Sequence, residues 1–407
     1  LRGCDPKKVL VGAAEVADVA RRLTGRGITG DTRISWAELM RFKRSFTDPV
    51  PDHRVAAFQR AGIECYHGPA RFVAPDQVAV DGQTLTARHF VIAAGAKPRH
   101  LGIPGEEHVL TSTQFLELDQ LPARLAFVGA GYISFEFAHV AQRAGAQAII
   151  IGRGQPLKRF DADLVARLVE HTRRLGVELK LGMAVTAVER RGSGFTVELK
   201  GPDGKATVEV DQVVHGGGRV PDTQHLDLPA AEVAVEPGGG VRVNAFLQSP
   251  TNPRVYAAGD VAASPGAAPL TPVAGYQGTI VASNLLEGNH RTPDYRGVPS
   301  VAFTIPPLAA VGLTEAEARA QGIPIRVTQQ DTSGWYSARR VAETCAMAKV
   351  VLAEGEDRIL GAHLLGPHAE EVINLFALAI RSRLPASDLK HQLYAYPTSG
   401  SDVPYLL

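Results

Sequence analysis

Cys4 is the residue in this chain best placed to do chemistry. It opens a helical pattern, with Pro6 where a first turn tolerates proline and Lys7 and Lys8 close behind. Only the thiolate of a cysteine is reactive, and a helix N-terminus with cations nearby favours that form. Cys65, in a strand-like run, and Cys345, in an apolar C-terminal pattern, read as inert core residues. Three cysteines in 407 residues are too few for a disulfide scaffold. They fit a reducing, cytoplasmic setting in which any disulfide is catalytic.

The second constellation is Gly129-Ala130-Gly131-Tyr132-Ile133-Ser134, between the apolar run Leu125–Val128 and a helical pattern. In a strand-turn-helix frame such glycines let the backbone approach a pyrophosphate, which sits on the helix N-terminus. The next strand, Ala148–Ile151, is followed by Arg153, Lys158 and Arg159, with no acid before Asp161. NAD sites usually place an acid there for the ribose 2′-hydroxyl. Cations suit a 2′-phosphate, so NADPH is expected over NADH.

These residues need a scaffold. The length allows two or three domains. Lys and Arg number 43 against 42 Asp and Glu, so nothing points to nucleic acid or an acidic membrane surface. No run approaches the roughly 20 apolar residues of a membrane span. No signal peptide is visible, although the chain does not begin with Met, and no resident metal site is expected. Cys4 to about Arg44 reads as helical, with Pro49 and Pro51 ending it. Strand-like runs follow at Gly62–Tyr66, Val78–Val80 and Phe90–Gly95, then a linker from Pro98 to Gly105. Leu125–Val128 and Ala148–Ile151 flank a helix, the signature of a parallel sheet. Thr196–Leu199 and Val208–Val210 read as a hairpin around Gly201–Gly204. From about Tyr295 the texture becomes antiparallel strands with two helices, ending at Glu370–Ile380.

Three further segments carry a family signature: Val91-Ile92-Ala93-Ala94-Gly95, Gly216-Gly217-Gly218-Arg219-Val220-Pro221 and Thr251 to Gly259-Asp260. In this order around a dinucleotide turn, the chain resembles the pyridine nucleotide-disulfide oxidoreductases, which include glutathione reductase, dihydrolipoamide dehydrogenase and mercuric reductase. The resemblance implies an α/β flavoprotein with two dinucleotide-binding domains, the FAD domain incomplete, plus an α+β dimerisation domain. The expected segments are 1–110 for the remainder of the FAD domain, 111–230 for the NAD(P) domain, 231–294 for a central FAD segment and 295–407 for the dimerisation domain. FAD would meet Lys7, Gly68, Ala70, Gly95, Gly259, Asp260, Leu270, Thr271 and Pro272. NADPH would meet Gly129, Gly131, Tyr132, Ile133, Glu136, Arg153, Lys158, Gly218 and Arg219. The resemblance further implies that Lys7 pairs with Glu136 beside the flavin. It makes Cys4 the flavin-side thiol of a Cys-x-x-x-x-Cys pair whose other member would fall two residues upstream of Leu1. The chain is therefore expected to be an N-terminally truncated member that works as a homodimer on a thiol, disulfide or other small acceptor.

The acceptor side departs from the family. Where disulfide reductases carry His and Glu, this chain has Tyr396 and Ser401, with Asp402 adjacent. A phenol near pKa 10 is a poor general base, although it donates a hydrogen bond. Thr279 stands where glutathione reductases hold an Arg, and the C-terminus lacks the cysteine pair of mercuric reductases. Three readings stand: an NADPH-linked flavoenzyme with a redox cysteine pair and an unassigned acceptor, a mercuric-reductase-like metal reductase, and a catalytically dead fragment.

Overall fold

Leu10, Val11, Ala14 and Ala17 recur at three- and four-residue spacing and are buried, which makes Cys4–Arg22 a helix with one apolar face. Val16, an apolar residue off that face, is exposed. The structure, a computed structural model, describes residues 3–407; Leu1 and Arg2 lie outside them. The helical reading to Arg44 is interrupted. Gly25, Gly27 and Gly30 take φ of +73°, +106° and +94°, a backbone that ends one helix before Trp36–Thr47 begins the next. That second helix is anchored by Lys43, fully buried, whose Nζ donates to Leu116 O at 2.8 Å and to Glu117 Oε2 at 3.1 Å. Pro49 follows the end of that helix at Thr47, as expected, but the chain does not leave helical structure there. Pro51 sits in the first turn of a new one, Val50–Arg60, where a missing N–H costs nothing.

The chain forms two compact units. The first comprises the residues up to Asp48, His100–Gly217 and Arg296–Leu407. Its parallel sheet has the order Gln212–His215, Arg124–Val128, Gln147–Gly152, Glu178–Leu181. Both faces are covered, so Leu125–Val128 and Ala148–Ile151 are continuously buried. The hairpin at Gly194–Gly201 and Gly204–Val210 forms as expected and extends to Ala184–Arg191. Beyond Arg296 an antiparallel sheet orders Ser300–Ala302, Leu308–Gly312, Ile359–Leu365, Met347–Ala353 and Ile325–Asp331. Helix Ala369–Ser382 packs on it through Ile373 and Phe376. The two helices expected here become this long one and three short ones, Glu315–Ala320, Tyr336–Arg339 and Ala386–His391.

The second unit, Pro49–Arg99 with Gly218–Tyr295, holds a three-stranded meander and the parallel pair Phe90–Ile92 with Val255–Ala257. Gly62–Tyr66 is not a strand: it has no sheet partner among the described residues, and Ile63, Cys65 and Tyr66 are exposed. Cys65 is therefore not a core residue. No described helix is long and apolar enough to cross a membrane.

Candidate functional site

Lys7 follows Cys4 by one turn on the first helix, and Glu136 lies on helix Tyr132–Arg143. Lys7 Nζ stands 2.8 Å from Glu136 Oε2, both side chains almost fully withdrawn from water. The second carboxylate oxygen, Oε1, accepts from Phe303 N–H at 2.7 Å. Burial pushes the Glu136 carboxyl upward, while Lys7 and then the Phe303 N–H pull it back. Cys4 is exposed at the helix start, and none of the three cysteines is in a disulfide. Cys345 is buried, and burial pushes its thiol up to about 12, which makes it inert at neutral pH.

Glu136 is the first rung of a buried polar ladder. His139 and Arg143 follow at three- and four-residue intervals on the same helix, and both grip Ile305. Ile305 N–H donates to His139 Nδ1 at 3.0 Å, and Arg143 Nη2 donates to Ile305 O at 3.0 Å. His171 Nε2 reaches the same carbonyl at 3.1 Å. Thr172 Oγ1 donates to Leu168 O, so it accepts from His139 Nε2 at 3.0 Å. Both nitrogens of His139 are thus committed in the neutral tautomer. Burial first, then Arg143 and His171, hold its pKa well below 6.5. Between that lowered value and 6.5 the unfolded chain binds the extra proton, so stability is full above pH 6.5 and falls as pH drops. His139→Gln keeps an acceptor and a donor without titrating. Below pH 6.5 it is expected to lose stability more slowly than wild type, by up to about 1.4 kcal/mol per pH unit. Urea denaturation at pH 7, 6 and 5 checks this; parallel curves for the two proteins refute it.

The dinucleotide turn is built from close backbone approach. Gly129 has φ +105°, and a Cβ there would lie 2.5 Å from Gly216 O. Its N–H donates to Ile151 O at 2.7 Å. A Cβ on Gly152 would fall 2.5 Å from that of Ala130. Gly131 caps helix Tyr132–Arg143, whose first residue, Tyr132, is exposed while Ile133 is half-buried. Ser134, in the third small position, is fully buried, and its Oγ has no hydrogen-bond partner. Arg153, Lys158 and Arg159 are exposed just beyond strand Gln147–Gly152. Asp161, the first acid after them, turns inward. It accepts from Asp163 N–H at 3.1 Å and pairs with buried Lys349 at 3.1 Å. Glycines without room for a side chain, a helix start with no side-chain cap and exposed cations fit a nicotinamide dinucleotide.

In the second unit, Ala258 N–H donates to Ile92 O at 3.1 Å and sets the segment Gly259-Asp260 beside the end of strand Phe90–Ile92. Gly259 has φ +78°, and its N–H donates to the buried Gln277 Oε1 at 2.6 Å. Gly95, at φ +69°, follows the same strand end. Leu270 caps helix Thr271–Glu287, with Pro272 in its first turn and Thr271 exposed. Gly68 has φ +149°, and a Cβ there would meet Asp81 Cβ at 3.3 Å, while Ala70 pairs with Val80. Gly218 has φ +109°; Arg219 pairs with Pro98, and its guanidinium donates to Ala96 O. Left-handed glycines at two strand ends beside a helix N-terminus fit an extended dinucleotide such as FAD.

The model of the pyridine nucleotide-disulphide oxidoreductases matches residues 1–278, and that of their dimerisation domain matches residues 298–405. The chain belongs to this family. A glutathione reductase of Burkholderia cepacia is 31% identical over 99% of this chain and 88% of its own. A mercuric reductase of Staphylococcus aureus is 32% identical over 97% and 73%. Among solved structures, a copper(II) complex of a mutant of the HOCl-induced flavoprotein disulfide reductase RclA from Escherichia coli superposes with a TM-score of 0.87. It is 27% identical over 99% of this chain and 88% of its own. The α/β architecture with a dimerisation domain is therefore that of the family, whose cofactors are FAD and NAD(P)H.

At the C-terminal end the expected acceptor-side residues make local contacts. Tyr396 is 84% exposed. Ser401 Oγ accepts from Thr398 N–H at 3.2 Å, which closes a capping box, and donates to Thr398 O at 2.6 Å. Asp402 accepts from Ser337 instead, and burial raises its pKa. Thr279 is exposed and hydrogen-bonds its own helix at Gly275 O. The sequence reading missed His139, Arg143 and Phe303. The signal for the first two was present: Glu, His and Arg at i, i+3 and i+7 on a helix otherwise apolar on that face. Phe303, with Thr304, carries part of the resemblance to the dimerisation domain, but nothing local marked its contact with Glu136.

Proposed function

We propose that this chain passes electrons from NADPH through FAD to a thiol-linked acceptor, with Cys4 as the flavin-side thiol of a cysteine pair. The observation that carries the reading is Cys4 one helical turn before Lys7, whose ammonium is bonded to buried Glu136. When bound, FAD would supply the two-electron redox chemistry between the nicotinamide and the thiol-linked acceptor. Lys7, fixed by Glu136, offers a positive charge that needs no reorganisation as negative charge builds up. The exposed Arg153, Lys158 and Arg159, with Asp161 committed elsewhere, support NADPH over NADH. The match to the dimerisation domain supports a homodimer, and the low number of cysteines, three in 407 residues, supports a reducing, cytoplasmic setting.

A second reading makes a soft metal ion the acceptor. Ser401 and Asp402 are committed to Thr398 and Ser337, which leaves Tyr396 without the acid of a His-Glu relay. Two electrons from NADPH reduce a mercuric ion to the metal, with no leaving thiolate to protonate. Mercuric and copper chemistry in the names of the relatives favours the same reading.

Steady-state kinetics tests both. NADPH oxidation is measured with glutathione disulfide, lipoamide and mercuric ion. A kcat/KM for NADPH at least about 10-fold above that for NADH is expected; equality sinks the cofactor assignment. Cys4→Ser is expected to lower turnover with these acceptors by about 100-fold or more, and wild-type turnover removes Cys4 from the path. Mercuric ion giving no rate above the metal-free rate removes the second reading.

A further inference from the structure

We propose that Phe303 is a positioning residue for Lys7: its backbone N–H orients Glu136 and its ring closes over the Lys7 ammonium. The residue that follows strand Ser300–Ala302 thereby sets the geometry of the Lys7–Glu136 pair. The inference rests on the reading above, in which Lys7 acts in electron transfer.

Phe303 touches both members of the pair. Its N–H donates to Glu136 Oε1 at 2.7 Å, which leaves Oε2 as the oxygen facing Lys7 at 2.8 Å. Lys7 Nζ lies 4.8 Å from the ring centroid, within the range in which a ring quadrupole attracts a cation. Lys8 Nζ lies 4.6 Å from the same centroid. Lys8 is held in turn by Glu15 at 3.3 Å and by Glu370, on helix Ala369–Ser382, at 3.9 Å. The ring is therefore braced by two ammonium groups from successive residues of one helix.

The segment behind the ring is immobilised. Ile305 is gripped by His139, Arg143 and His171. Thr304 is fully buried, and its hydroxyl donates to Pro306 O at 2.7 Å. An ammonium has three donors on a flexible four-carbon stem, and one carboxylate oxygen does not fix its direction. The ring supplies the second constraint and keeps water off the pair.

Phe303→Leu keeps the backbone N–H and most of the bulk but loses the quadrupole; Phe303→Tyr keeps all three. The full chain is acylated with an N-hydroxysuccinimide ester, and each lysine is followed by peptide mass. Lys43, fully buried in the same unit, reports loosening of the fold. Phe303→Leu is expected to speed acylation of Lys7 by about five-fold or more with Lys43 unchanged, and Phe303→Tyr to restore protection. Lys7 reacting at the wild-type rate in Phe303→Leu overturns the proposal. So do Lys7 and Lys43 rising together, which would mark a merely structural role. A second arm follows NADPH oxidation with a quinone. Phe303→Leu is expected to lower kcat by about five-fold with KM for NADPH within two-fold, and to add nothing in a Lys7→Met background. A full repeat of the loss in that background overturns action through Lys7. A wild-type chain that does not oxidise NADPH at all fails the functional reading, while the acylation arm still decides the positioning.

Discussion

Lys7→Met is expected to reduce NADPH-driven turnover by about 100-fold, the scale of removing one preorganised charge from an active site. The same substitution leaves Glu136 buried without its counter-ion. Breaking a buried pair costs about 3–5 kcal/mol when the surviving charge has no escape. Glu136 has one, because burial already pushes its carboxyl upward and losing Lys7 removes the largest opposing pull. Its folded-state pKa then lies further above the unfolded value of about 4.5. A group raised in this way binds its proton more tightly when folded, so its stabilising contribution is present at low pH and fades as pH rises. The destabilisation of Lys7→Met is therefore expected to be smallest near pH 5 and about 3 kcal/mol near pH 8. Urea denaturation at the two pH values measures it. A loss that does not change with pH would mean that Glu136 stays ionised and finds another partner.

Gly129→Val is expected to weaken NADPH binding by about 100-fold or more. It should also destabilise the first unit by about 1–3 kcal/mol, the cost of a side chain at a strained backbone position. A Cβ at Gly129 would meet Gly216 O at 2.5 Å, the Gly216 carbonyl carbon at 2.7 Å and Gly217 Cα at 2.8 Å. All three are backbone atoms, so no side chain can swing aside to make room. The φ of +105° adds strain for any residue with a Cβ. Gly12 is the contrast. It lies within helix Cys4–Arg22 with no atom within 4 Å of a built Cβ, and Gly12→Ala is expected to stabilise by about 1 kcal/mol. Tight-binding titration with NADPH and thermal melts of the two variants separate these outcomes. A Gly129→Val chain that binds NADPH normally would remove the turn from the cofactor site.

The Lys7–Glu136 pair is tied to the end of strand Ser300–Ala302 through Phe303, and the glycine turn is tied to the parallel sheet through Gly129 and Gly216. At the C-terminal end the polar groups are committed locally. Tyr396 is exposed, and its neighbours Ser401 and Asp402 serve the local turn and Ser337.

What the sequence alone determined was local. The strand-turn-helix at Leu125–Arg143, the hairpin closing at Gly201–Gly204 and the inert Cys345 were legible, because backbone conformation and apolar periodicity depend on near neighbours. Family resemblance added the Lys7–Glu136 pair, whose members are 129 residues apart. Only the tertiary structure decided which polar groups are spoken for. Asp161 looked like the first acid available after the dinucleotide strand, yet it is committed to Lys349, 188 residues away. Cys65 sits in a run with strand composition, yet with no partner strand beside it among the described residues it lies exposed. Phe303 is one more apolar residue in sequence. In the fold it meets Glu136, 167 residues distant, and two lysines of the first helix. The reason is the same in each case. A buried polar or charged group must find a partner, and the partner is chosen by which elements pack together rather than by which residues adjoin in the chain.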